Sequence, residues 1–131
     1  MYSSLNDIKK LLPDSLIIQL TDDEDINAIN QERVDAAIYQ ADAEIDADCG
    51  NRYSVPFTTV PPIIQKHSVD IAIYNLYSRR VEEIPKTRAD RYKNAKESLE
   101  GIASGKISLG VTLFSPDDFS TGVLVTSHFD S

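Results

Sequence analysis

The sequence predicts a mainly α protein, a small helical bundle of about four to five helices with an extended or β-hairpin tail at its C-terminal end. Three observations carry that reading. Up to Gly105 the apolar residues recur at spacings of three and four, the period of one helix face. Pro13, Gly50, Pro62, Pro85 and Gly105 stand at the junctions between those stretches. Beyond Gly105 the apolar period shortens to two, as on a strand.

Ser4 is placed to cap a first helix carrying Leu5, Ile8, Leu11 and Leu12, which Pro13 is expected to end. Asp14 then caps a short apolar turn, Leu16 to Leu20, and Asp22-Asp23-Glu24-Asp25 forms a solvated loop. From about Asn30 to Cys49, Val34, Ala37, Ile38, Ala41 and Ile45 share one helix face, and Gly50 is a stop. Tyr53 to Pro62 holds three prolines among aromatics and valines, and so reads as an extended loop anchored on the core. Pro62 opens the next helix, to about residue 80, whose apolar residues cover more than one face. It is therefore expected to be the central buried helix. Pro85 opens a last helix to about Ser104, with Ala89, Tyr92, Ala95, Leu99 and Ile102 inward. Ile107, Leu109, Val111 and Leu113 then alternate with small or polar residues, and Gly122 to Thr126 could pair with them as a second strand. A lone hairpin is marginal in water, so this tail must pack on the helices or pair with another chain. The organisation expected is a helical domain over 1–110 and an assembly arm over 111–131.

With 131 residues and 41% apolar content, the chain has room for one ordinary domain with a real core. Thirteen basic against 21 acidic residues give a net charge of −8, which counts against coating nucleic acid. One cysteine excludes an internal disulfide, and with two histidines it cannot build a cysteine-rich zinc site. No signal pattern or membrane span appears, so a soluble intracellular protein is expected. Charge is unevenly placed. Residues 1–60 carry a net −8, residues 61–110 a net +3, and residues 111–131 a net −3. Such charge runs are either simply solvated faces or an acidic and a basic half that mate head to tail between copies, contacts that close into rings when the rotation allows.

No constellation argues for an enzyme. Asp23, Asp25 and Asn27 alternate like calcium ligands, but Ala28 and Val34 stand where glycine and glutamate are required. Asp42, Glu44, Asp46 and Asp48 have no histidine or basic partner nearby in sequence, so a solvated or interface face is favoured over a catalytic dyad. Cys49 sits at the negative end of its helix, where a thiolate is not favoured, and His67 reads as a hydrogen-bonded core residue. Lys86, Arg88, Arg91, Lys93 and Lys96 with Tyr92 form one basic patch. Asp90, Glu97 and Glu100 dilute it, which favours an exposed helix or a subunit contact over nucleic acid. No catalytic, cofactor or metal residue is expected. The interface candidates are Asp35, Asp42 and Asp46 on the acidic side and Arg88, Arg91 and Lys96 on the basic side.

The ordered segments Ala41 to Asp46, Asn51 to Phe57, Val60 to Ile64, Asp70 to Tyr74 and Ile102 to Gly110 resemble a Mu-like phage protein family formerly described as a domain of unknown function. Met1-Tyr2, Leu16 to Asp22 and Arg91-Tyr92 add to the likeness, which covers roughly residues 1–110. The resemblance implies a structural morphogenesis protein of a tailed phage or prophage, similar to head–tail connector (adaptor or head-completion) subunits. Such a subunit assembles as a ring beneath the portal. Its implied partners are copies of itself, the portal and the tail or neck proteins, with DNA passing through and no membrane involved. Its implied location is the host cytoplasm during assembly and the head–tail junction of the virion afterwards. A tail-side terminator or neck protein, or a small nucleic-acid-binding regulator, are the alternatives.

On this reading, deleting residues 111–131 should leave the helical domain folded and abolish assembly. Circular dichroism and light scattering on the truncated chain test it, and loss of the helical signal would make the tail part of the core.

Overall fold

A computed structural model of the chain describes residues 1–111. It contains five helices: α1 (Leu5–Lys9), α2 (Asp14–Thr21), α3 (Gln31–Cys49), α4 (Pro62–Arg80) and α5 (Lys86–Ala103). The mainly helical class and the order of elements are as the periodicity predicts, and no strand occurs among the described residues.

Local chemistry sets the helix ends. Ser4 and Asp7 form a reciprocal capping box, Asp7 N–H donating to Ser4 Oγ at 3.3 Å and Ser4 N–H to Asp7 Oδ2 at 3.0 Å. α1 stops at Lys9, before Pro13, because Lys10 already bonds back to Asp7 and Ile8 as its cap. The Leu16 to Leu20 segment is a full helix rather than a turn; Pro13 occupies its cap position and Asp14 its first turn. Asn30 caps α3, its side chain accepting from Arg33 N–H at 3.0 Å, and Gly50 ends it. Pro62 begins α4, where its missing N–H costs nothing.

α4 is the axis of the bundle. α3 lies along it, α5 packs on both, α2 lies against α4, and α1 touches α3 and α4. Ile64, Ile71, Ala72, Ile73 and Leu76 of α4 are at most 1% exposed, against Ile38 and Ile45 of α3 and Leu99 and Ile102 of α5. The loop between α3 and α4 is held down by aromatics. Tyr53 is buried, and Phe57 stands 5.7 Å from the ring of Tyr2 and 6.3 Å from that of Tyr53. Pro56, in a cis peptide bond with Val55, is exposed.

The alternating stretch after Gly105 differs from the strand expectation wherever it is described. Ile107 donates its N–H to the Gly101 carbonyl at 3.0 Å and lays its side chain where a Cβ on Gly101 would sit, 2.8 Å from Ile107 Cδ1. Leu109 N–H donates to the Tyr53 hydroxyl at 3.1 Å. Both backbone donors are used on the helical body, so alternation here marks docking onto α5 and the loop. The remainder of the expected hairpin, residues 112–131, lies outside the described residues.

Replacing Leu76, fully buried on α4, with alanine should cost about 2–5 kcal/mol of unfolding free energy. Tyr39→Ala, at a residue 71% exposed on α3, should stay within about 0.5 kcal/mol. Denaturant titration compares the two, and equal losses would refute the assignment of α4 as the core.

Candidate functional site

The six interface candidates fall into separate clusters, and most of their charge is used inside the fold. Asp42 is only 9% exposed. Its carboxylate accepts the Tyr2 backbone N–H at 2.8 Å and the Ser68 hydroxyl at 2.7 Å, and Ser3 shares a 2.6 Å hydrogen bond with Ser68. One helical turn on, Asp46 accepts the Tyr2 hydroxyl at 2.5 Å, and that same hydroxyl accepts Phe57 N–H at 2.9 Å. Asp42 and Asp46 do share one face of α3, as the spacing predicts. That face clamps residues 2 and 3 against α3 and α4. Burial raises the carboxyl pKa of Asp42, with the bonds from Ser68 and Tyr2 opposing it in part. Burial and the bond to Asp46 likewise push up the Tyr2 phenol.

The basic side is committed in the same way. Lys96 of α5 reaches Asp48 at 2.9 Å and Glu44 at 3.0 Å on α3. Burial opposes its charge, but hydrogen bonds to Asp48 and Glu44 outweigh this and raise its pKa. Beside it Tyr92 stacks on Tyr74 with ring centroids 4.0 Å apart and donates to Glu44 at 3.3 Å. Arg91 approaches Asp70 of α4 at 3.5 Å, and Lys66 holds the same carboxylate at 2.8 Å. The Asp70 side chain is 1% exposed, so the two cations compensate a charge that would otherwise be buried alone. Arg88 reaches the Leu11 carbonyl at 3.4 Å, and Asp35 accepts from Gln31 one turn earlier on α3. The acidic helix and the basic helix therefore meet within one chain, Lys96 carrying the contact.

A second ionic cluster fixes the loop after α2. The Asp22 carboxylate accepts the N–H groups of Ile26 at 3.1 Å and Asn27 at 2.7 Å, which hold its pKa below the ordinary value. Glu24 receives both terminal nitrogens of Arg33 at 2.6 Å, and Asp23 is bound by Arg33, Arg79 and Arg80. Hydrogen bonds from Arg79 to Asp23 and from Arg33 to Glu24 lower both carboxyl pKa values. These oxygens face arginines and backbone N–H groups, and no cluster of metal-ligating side chains occurs among the described residues. Cys49 is buried, its thiol pushed up to about 11 by burial and by Asp48 and Asp46. His67 is buried against Ser98 at 2.8 Å, with burial disfavouring its charged form.

Sequence reasoning missed Tyr2, Ser68 and Asp70, the polar partners that give these clusters their shape. Tyr2 and Ser68 acquire their roles from residues at least 20 positions away; Asp70 has one such partner, Arg91, but its contact with Lys66 four residues earlier on α4 is a local spacing that the sequence does show.

Comparison with known proteins adds a relationship. The family described as Bacteriophage Mu, Gp36 matches residues 2–121, past residue 110 where the resemblance in the sequence was expected to stop. The Mu-like prophage FluMu protein gp36 of Haemophilus influenzae is 35% identical over 85 residues, 65% of this chain. The matched stretch spans 58% of that relative's length.

The burial of Asp42 has a measurable consequence. Its folded-state pKa lies above the ordinary 3.8, so the stability it supplies as a neutral acid is complete below that value. That contribution is lost as pH rises through the raised folded value. Asp42→Asn should therefore remove a decline in stability between acid and neutral pH that the parent chain shows. Unfolding midpoints of both chains along a pH series test this; parallel curves would show that Asp42 titrates as it does unfolded.

Proposed function

Because the chain belongs to the Bacteriophage Mu Gp36 family, and is thus a phage protein, we propose that it is a structural head–tail connector subunit, of the adaptor or head-completion kind, that assembles as a ring at the portal. The family membership is the observation that carries this reading. Its partners are further copies of itself, the portal and the tail or neck proteins. It acts in the host cytoplasm during assembly and at the head–tail junction of the virion afterwards, and it takes no catalytic part.

Two physical features support the role. No helix among the described residues is long and apolar enough to cross a membrane. The chain carries net charge −8, and Glu32, Glu82, Glu83, Glu97 and Glu100 are exposed. A channel lined by such subunits repels phosphate and lets DNA slide through without sequence-specific binding. The internal use of Asp42, Asp46 and Lys96 changes how copies would meet. Asp35, Arg88 and Arg91 are the candidates with reach beyond their own chain, and the contact must draw on apolar surface as well.

Light scattering over a range of concentration and salt is the direct measurement. A concentration-dependent rise from monomer towards a ring-sized species is expected, weakened by added salt where charges contribute. If the chain stays monomeric and also fails to co-purify with a phage portal protein, the connector reading falls.

A further inference from the structure

We propose that the cleft between α1, α4 and α5 receives the Ile26 loop of a second copy of this chain. The inference rests on the ring reading above and assigns the contact that would build it.

The donor side is an apolar knob on a rigid mount. Ile26 is 69% exposed at the tip of the loop after α2. Its neighbours Asp25 and Asn27 both have φ of 59°, a backbone region that side chains other than glycine rarely adopt. The Asp22 carboxylate holds the N–H groups of Ile26 and Asn27, and three arginines hold Asp23 and Glu24. The loop is ordered before it meets a partner, so little conformational freedom is left to lose on docking.

The acceptor side is a cleft of about 320 Å³. Its apolar floor is made by Leu11, Pro62 and Val69, with Leu11 41% exposed. Lys10, Lys66 and Arg91 stand at its edge, their side chains 77%, 61% and 41% exposed. Asp7, bridged by Lys10, and Asp70, shared by Lys66 and Arg91, oppose them, so the lining carries one net positive charge and its cations keep exposed faces toward solvent. An isoleucine followed into the cleft by its own acidic neighbour, Asp25, matches both features.

The geometry forbids a chain from filling its own cleft. Asp23 is clamped by Arg79 and Arg80 at the C-terminal end of α4, while Pro62, Lys66 and Val69 lie in its first half. Lys66 and Arg79 are about 20 Å apart along the helix axis. Knob and socket at opposite ends of one helix make a heterologous contact, which leaves a free knob and a free socket on every pair until a ring closes.

Cysteine cross-linking tests this in the full chain. Ile26→Cys and Leu11→Cys in the same chain should give a ladder of disulfide-linked oligomers on mild oxidation. Either substitution alone should give no ladder, and Cys49 is buried and does not compete. Both positions are exposed, so the variants fold. Ile26→Asp and Leu11→Asp should each weaken association about tenfold in light scattering. If the unsubstituted chain associates while both aspartate variants match it and no ladder forms, this contact is overturned and the ring reading stands. If the unsubstituted chain does not associate and no ladder forms, this contact is overturned, and the ring reading falls with it when the chain also fails to co-purify with a portal protein.

Discussion

Burial of α4 on nearly all sides is the constraint on which the rest of the structure depends. A helix that hides Ile64, Ile71, Ile73, Leu76 and Tyr77 cannot be covered by one neighbour. α3 takes one flank, α5 another, and the short helices α1 and α2 close the remainder. The cost appears at its polar residues. Ser68 and Asp70 are buried with the rest, so each requires a partner supplied by another element: Asp42 for the first, Arg91 with α4's own Lys66 for the second. The Ser68 and Asp70 clusters are thus consequences of centring α4.

The same logic explains why a chain of net charge −8 is not simply an acidic surface. Part of the excess of acid in the first 60 residues is met by the base of the following 50, across the α3–α5 contact and between the loop after α2 and the end of α4. Long-range charge separation along a sequence carries two readings, mating within a chain or between chains. Distance in three dimensions decides between them. Here Lys96 lies against α3 of its own chain, and what is left for another molecule is a set of side chains at the edges.

The sequence was most legible where local chemistry dictates the answer. The ends of α3, α4 and α5 fall where Asn30, Gly50, Pro62 and Pro85 place them, because capping and proline geometry act within a few residues. The central position of α4 was legible in its continuous apolar coverage. Less legible was Ile107 to Val111, whose period of two fits a strand and also fits a chain pressing alternate residues onto a surface beside Gly101. The interface candidates were chosen by charge and helical phase, which specify a face and not its neighbour. For Asp42 that neighbour is Tyr2, 40 residues earlier, and no local pattern could announce it.

The clamp on residues 2 and 3 also bears on how the chain is made. Tyr2 and Ser3 leave the ribosome early, yet their partners are Asp42, Asp46, Phe57 and Ser68. Residues 2 and 3 must wait, unsatisfied, until the first two turns of α4, through Ser68, have been synthesised. α1 has five residues, too few to hold itself as a helix in water, so it waits with them. The α3–α4 pair must therefore come together first, and closure of the N-terminal segment records that it has done so.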